Sequence, residues 1–165
     1  MKIGLLSDSH NDTASLTVAL KMLEREGIRL VIFCGDVTDP GLVPLFAGLE
    51  LHMVEGNIDQ DPGGLRRAVE RLRNGSTFGL EYTATIDGKR IVALHGHLTD
   101  RLDEVIGSGL YDYVIHGHTH RRRDERAGAT RVINPGALGG VRYEKRSFAI
   151  LDPATDDLRV IEVGT

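Results

Sequence analysis

Side chains able to bind a metal ion recur wherever a short apolar run stops. Asp8 and His10 follow the run 3–6, and Asp36 follows 30–33. Asn57 and Asp59 follow 52–54, His95 and His97 follow 91–94, and His118 and His120 follow 113–115. In an open α/β sheet, ligands bind outside the carboxyl ends of the strands, so these ends should converge on one site. Imidazole and carboxylate together suit Mn, Fe, Zn or Ni better than Ca or Mg. Asp8, His10, Asp36, Asn57, His95, His118 and His120 are too many for one tetrahedral site. They suit two ions about 3.5–4 Å apart that share one carboxylate. Asp36 is the best bridge, being the only acid at its strand end, with Gly35 beside it to let the chain turn.

Other residues at these ends have supporting or open roles. Asp59 is expected to orient a ligand or His97. His97 is open between a metal ligand, a supporting group and a substrate contact. His52 and His116 read as structural. Cys34 ends a buried strand and reads as a small core residue without an internal disulfide partner.

The elements that must position these residues follow from periodicity and breakers. Strands are expected at 2–7, 29–34 and 51–54. A helix over 13–26 is capped by Asn11 or Asp12, a short one starts at Pro40, and another covers 62–73. Strand–helix alternation of this kind gives a parallel sheet. Alternation at Tyr82, Ala84 and Ile86, the turn Asp87-Gly88 and the run 90–94 make a hairpin. A helix over 99–108, capped by Thr99 or Asp100, precedes the strand 113–115. The segments 122–126, 130–133, 147–151 and 158–163 read as antiparallel strands. The expected whole is one domain, 1–165, of α/β class with two packed sheets and helices outside.

Bulk properties exclude several functions. The net charge of −4 argues against bulk nucleic-acid binding. No apolar run approaches the ~20 residues that span a bilayer. The N-terminus enters a strand at once, without a signal peptide, and a cytoplasmic location is expected. There is no Gly-rich phosphate loop ending in Lys-Ser/Thr and no strand followed by a dinucleotide fingerprint.

Asp8-x-His10, Gly35-Asp36, Gly56-Asn57-x-Asp59, His95-Gly96-His97, Gly117-His118-Thr119-His120 and the turn Asn134-Pro135-Gly136 resemble, in order, the calcineurin-like metallophosphoesterases, in particular the small YfcE-like phosphodiesterase branch. The resemblance implies a four-layer α/β/β/α sandwich of two mixed sheets. It also implies two divalent transition-metal ions, Mn first, with Ni, Fe, Co or Zn as alternatives. One ion would take Asp8, His10, Asp36 and His120, with His97 joining it. The other would take Asp36, Asn57, His95 and His118. A water between the ions, deprotonated near neutral pH, would attack phosphorus, and Asn57 would contact the phosphate.

Expected substrates are small phosphodiesters or nucleotide-like esters. The alternatives are a monoesterase or nucleotidase, and a binding module like the retromer small subunit. A homodimer or homotetramer fits the family. Where many members carry a proton-donating His, this chain has Ile58, which disfavours poor leaving groups. Ala137 replaces the Ser usual after the turn glycine. Arg121, Arg122 and Arg123 read either as a basic lip for anions or as a charged strand edge. Arg142 reads as a phosphate contact or a surface cation.

Overall fold

A computed structural model describes residues 1–164. The first sheet contains β1 (Ile3–Leu6), β2 (Leu30–Phe33), β3 (Glu50–Val54), β4 (Thr77–Gly79), and the late strands β10 (Ser147–Asp152) and β11 (Asp157–Glu162). Their order is β11-β10-β1-β2-β3-β4, parallel from β1 to β4 and antiparallel at β10 and β11. The second sheet contains β5 (Glu81–Ile86), β6 (Lys89–Leu94), β7 (Tyr113–Ile115), β8 (Arg123–Ala127) and β9 (Thr130–Asn134), in the order β5-β6-β7-β9-β8.

The two sheets pack face to face. Ile3, Leu5, Ile32 and Val54 meet Ile91, Ala93, Ile115 and Ile133 in one buried cluster. The opposite face of the first sheet is covered by α1 (Thr13–Arg25), α2 (Pro62–Glu70) and a 3₁₀ helix (Pro40–Phe46). Val92 and Val114 on the outer face of the second sheet pack on Leu102 and Val105 of α3 (Thr99–Gly107). The layers are therefore α/β/β/α, with both sheets mixed. Strands β1 and β2 are buried on both faces, which is why they read as unbroken apolar runs.

Two local expectations need correction, and one strand was not foreseen. β9 pairs parallel with β7 and antiparallel only with β8, because the chain crosses from β7 to the far edge and returns between them. Thr99 lies inside α3, whose cap position is Leu98, with no side-chain bond. β4 has three residues, too short for alternation to mark it. At α1 the cap is Asp12, which accepts from the backbone N–H of Ser15 at 2.8 Å.

Candidate metal centre

The carboxyl ends of β1, β2, β3, β6 and β7 meet at one edge of the sandwich. Their loops are stitched together through the backbone. The Asp8 N–H donates to Gly35 O at 3.0 Å, and that of His10 to Asp36 O at 3.0 Å. The Gly117 N–H donates to His95 O at 3.0 Å, joining the two histidine turns. Gly117 must lack a side chain, because a Cβ there would lie 2.5 Å from Asp8 Oδ2.

Backbone conformation marks the same residues. Asp8 (φ 52°), His10 (43°), Asp36 (61°), His118 (69°) and His120 (55°) all occupy the left-handed region. Non-glycine residues are uncommon there, and each such conformation costs on the order of 1–3 kcal/mol. The surrounding fold holds these turns in place.

The ligand atoms of two groups converge. In the first, His10 Nε2 and His120 Nε2 lie 3.6 and 3.3 Å from Asp8 Oδ1 and 2.9 Å from each other. In the second, Asn57 Oδ1 lies 2.9 Å from His95 Nε2 and 3.1 Å from His118 Nδ1. Asp36 Oδ2 stands between the groups, 3.8 Å from His10 Nε2 and 3.2 Å from His95 Nε2.

This donor set fits divalent cations. Asp8 Oδ1 is buried with no hydrogen-bond partner among the described residues. A buried, unpartnered carboxylate oxygen is costly unless a cation meets it. Asp8 Oδ2 is already satisfied by Ser7 Oγ at 2.5 Å and the His118 N–H at 3.0 Å, so Oδ1 is the oxygen left to bind. His95 is fixed from behind by Nδ1 donating to Cys34 O at 2.6 Å, and His120 by Nδ1 donating to Val141 O at 2.8 Å. Both arrangements turn Nε2 toward the site.

The titrating groups respond to this packing. Burial alone would raise the Asp8 carboxyl, but the imidazoles of His10, His120 and His95 and the Ser7 hydroxyl hold it far below its ordinary range. The His120 imidazole is raised by its contact with Asp8. For His95, burial works downward, but Asp36 and Asp8 prevail and raise it. Burial lowers His118 and His97, helped in each case by His95.

Two further candidates stand beside the converging groups. His97 falls beside His95 and His118, with ring centroids 5.4 and 6.1 Å away, and lies outside both converging groups. The cluster of Asp8, His10 and His120 does not include it. Asp59 has no histidine among its hydrogen-bond partners in the described residues. Its buried carboxylate accepts the backbone N–H groups of Gly56 (2.7 Å), Thr38 (2.8 Å) and Asp36 (3.0 Å), so it ties the β2 and β3 ends together. Ile58, in the place of a proton donor, is partly exposed at the rim.

Two supporting residues outside the predicted set complete the site. Asn134 Nδ2 donates to Gly117 O at 2.9 Å and Thr119 Oγ1 at 3.1 Å, bracing the histidine turn. Ser7 was hidden because a lone serine at a strand end carries no spacing signal. Beside Ala137, the hydroxyl that bonds the turn is that of Ser147, which donates to Pro135 O at 2.8 Å. His52 has partners that the local sequence does not show: Thr77 Oγ1 at 2.8 Å, Glu50 Oε1 at 3.0 Å and a stacked Tyr82 ring at 4.0 Å.

His116 is buried directly behind the site. Nδ1 donates to Gly117 O at 3.0 Å, and Nε2 faces the Arg123 guanidinium at 3.4 Å. Burial, with the nearby Arg123 charge, pushes its pKa down to about 4 from 6.5. A histidine depressed in the folded state contributes stability above its unfolded pKa, and that stability is lost as pH falls from about 6.5 toward 4. Urea unfolding of chelator-stripped protein at pH 7 and pH 5 should show a loss about 2 kcal/mol larger in the wild type than in His116→Gln. Equal losses would place the acid sensitivity elsewhere.

The three adjacent arginines divide. Arg122 pairs with Glu162 at 3.1 Å and Glu144 at 3.9 Å. Arg123 pairs with Glu125. Arg121 has no acidic partner among the described residues, and its guanidinium lies 4.3 Å from the centroid of the Tyr143 ring.

Comparison with known proteins gives a consistent answer. The calcineurin-like phosphoesterase superfamily domain matches residues 1–156. The phosphodiesterase MJ0936 of Methanocaldococcus jannaschii is 31% identical over 163 residues, covering 98% of both chains. A solved archaeal phosphodiesterase superposes with a TM-score of 0.92 at 31% identity, over 98% of this chain and 99% of its own. The Entamoeba histolytica Vps29–zinc complex superposes at 0.73 with 20% identity, over 99% and 100% of the chains, and shows the fold alone. No helix among the described residues is long and apolar enough to cross a membrane. With the family domain spanning nearly its whole length and a full-length relative at this identity, the chain belongs to the calcineurin-like phosphoesterase superfamily.

Proposed function

We propose that this chain is a phosphodiesterase that works with two divalent transition-metal ions, Mn first among them, on small phosphodiester or nucleotide-like substrates. The observation that carries the reading is the placement of Asp36 Oδ2 between two histidine groups, beside the unpartnered Asp8 Oδ1. Asp8, His10, Asp36 and His120 would hold one ion. Asp36, Asn57, His95 and His118 would hold the other. When bound, the ions supply a nucleophilic oxygen at neutral pH and positive charge for the non-bridging phosphate oxygens.

The chain's own residues do the rest. Asn57 turns its oxygen toward His95 and His118, which leaves its amide N–H groups to contact the phosphate. His97, whose pKa burial and His95 lower, has a buried Nδ1 without a partner among the described residues and would serve as a hydrogen-bonding contact beside His95 and His118. Asp59 positions the Asp36 and Asn57 loops. Ile58 supplies no proton, so leaving groups that depart as stable anions are favoured. That feature, together with the diesterase name of the full-length relative, supports diesters over monoesters.

The test is hydrolysis of an activated aryl phosphodiester beside the matching monoester, with protein stripped by chelator and reloaded with Mn²⁺. Metal-dependent turnover that favours the diester is expected. Monoester preference would overturn the substrate class. No turnover of either ester, with metal bound, would move the protein to the binding-module reading.

A further inference from the structure

We propose that Arg121 and Tyr143 form a stacking subsite for a nucleoside, esterified to the phosphate that the metal centre holds. The inference rests on the phosphodiesterase reading and specifies the class of diester. Arg121 follows His120 directly, and its guanidinium lies 4.3 Å from the Tyr143 ring centroid. Tyr143 remains 57% exposed, so the guanidinium leaves much of the ring open. A nucleobase stacks on aromatic rings and on guanidinium planes alike.

The platform is held at a fixed place relative to the site. The loop carrying Tyr143 is fastened to the first ligand group: Val141 O accepts from His120 Nδ1 at 2.8 Å, and the Gly139 N–H donates to Asp8 O at 2.8 Å. Gly140 (φ 68°) passes so close that a Cβ would lie 2.6 Å from His10 Cδ2 and 2.7 Å from His120 Cε1. Arg122 locks the far end of the loop. Its N–H donates to Glu144 Oε2 at 2.8 Å and its Nη2 to Lys145 O at 3.0 Å. Preorganisation of this kind reduces the cost of ordering on binding.

The charges point the same way. Arg122 and Arg123 are spent on carboxylates, whereas Arg121 and Arg142 have no acidic partner among the described residues. Two uncommitted cations at one rim favour an anionic ester. Tyr143 and Arg142 also line an open groove of about 790 Å³, bounded on its other wall by Glu162, Val163 and Gly164. Ile58 and Leu98, which follow Asn57 and His97 in the chain, are apolar and 38% and 60% exposed.

The experiment compares thymidine 5′-(p-nitrophenyl phosphate) with methyl p-nitrophenyl phosphate, which share a leaving group, on Mn²⁺-loaded protein. The wild type should prefer the nucleoside ester in kcat/KM by about tenfold, carried by KM. Tyr143→Ala should bring that ratio close to one, while Tyr143→Phe should keep it. Bound metal, measured alongside, should match the wild type in both variants. A ratio unaltered in Tyr143→Ala overturns the subsite, as does an equal fall for both esters. If neither ester is turned over, the diesterase reading fails and the subsite is judged by calorimetry. Thymidine 5′-monophosphate should then bind about tenfold more tightly than inorganic phosphate, and Tyr143→Ala should remove the margin. Equal binding of the two anions by the wild type overturns it.

Discussion

Asp36→Asn should lower bound metal from two ions per chain to one or fewer and cut diester turnover by roughly a thousandfold or more. Asp36 is 2% exposed, and its two oxygens have separate tasks. Oδ1 accepts the Ile58 N–H at 3.1 Å. Oδ2 faces His10 and His95, one from each ligand group. In asparagine the amide oxygen can keep the Ile58 bond, so the loop geometry should survive. The amide nitrogen then replaces Oδ2 and presents N–H donors to the position where, in the proposed dinuclear centre, both ions would need an anion. The loss thus falls on the shared ligand and not on folding. Elemental analysis of protein stripped, reloaded and desalted would be read together with turnover and a melting curve of the stripped form. Two ions retained with turnover near wild type would sink the dinuclear reading. Loss of folding in the stripped variant would mean that Asp36 acts through the loop.

The site was legible in the sequence because its signals are local and repeated. Each ligand candidate stands just past an apolar run, and a strand buried on both faces shows itself as such a run. The convergence of five such ends follows from the strand-end rule for α/β sheets, and the observed edge obeys it. What stayed hidden depends on partners distant in sequence. The line Arg121-Arg122-Arg123 gives no hint that only the first is uncommitted, since that is decided by Glu125, Glu144 and Glu162 from other segments. His52 looked partnerless until the pairing of β3 with β4 brought Thr77 to it and the packing of the two sheets brought Tyr82. The parallel placement of β9 was equally invisible, because β-type periodicity is the same for both directions. The positive φ values at five ligand candidates could not be read from residue type, although Asp and His tolerate that region better than β-branched residues.

Asp59 acts on a ligand candidate through the backbone, accepting the N–H of Asp36 itself. Standing two residues after Asn57, it resembles a partner for a catalytic histidine, yet all its bonds go to backbone. This predicts a stability effect larger than its distance from the ligands would imply. Asp59 is 6% exposed, and its carboxylate receives N–H groups from Gly56, Thr38 and Asp36, two loops that nothing covalent joins nearby. In Asp59→Ala all three donors lose their acceptor. A buried donor left unsatisfied costs about 1–3 kcal/mol. Water entering at Thr38, the least buried of the three, recovers part of this. The expected loss is about 3–5 kcal/mol in urea unfolding of the stripped protein. Because the freed loops carry Asp36 and Asn57, metal affinity should fall about 10- to 100-fold as well. Asp59→Asn keeps one acceptor oxygen and should lie between wild type and alanine on both scales. A proton-transfer role makes the opposite forecast: stability and metal affinity near wild type, with an altered pH profile of turnover in Asp59→Asn. Unfolding of Asp59→Ala at the wild-type midpoint would therefore refute the bracing role and return Asp59 to the chemistry.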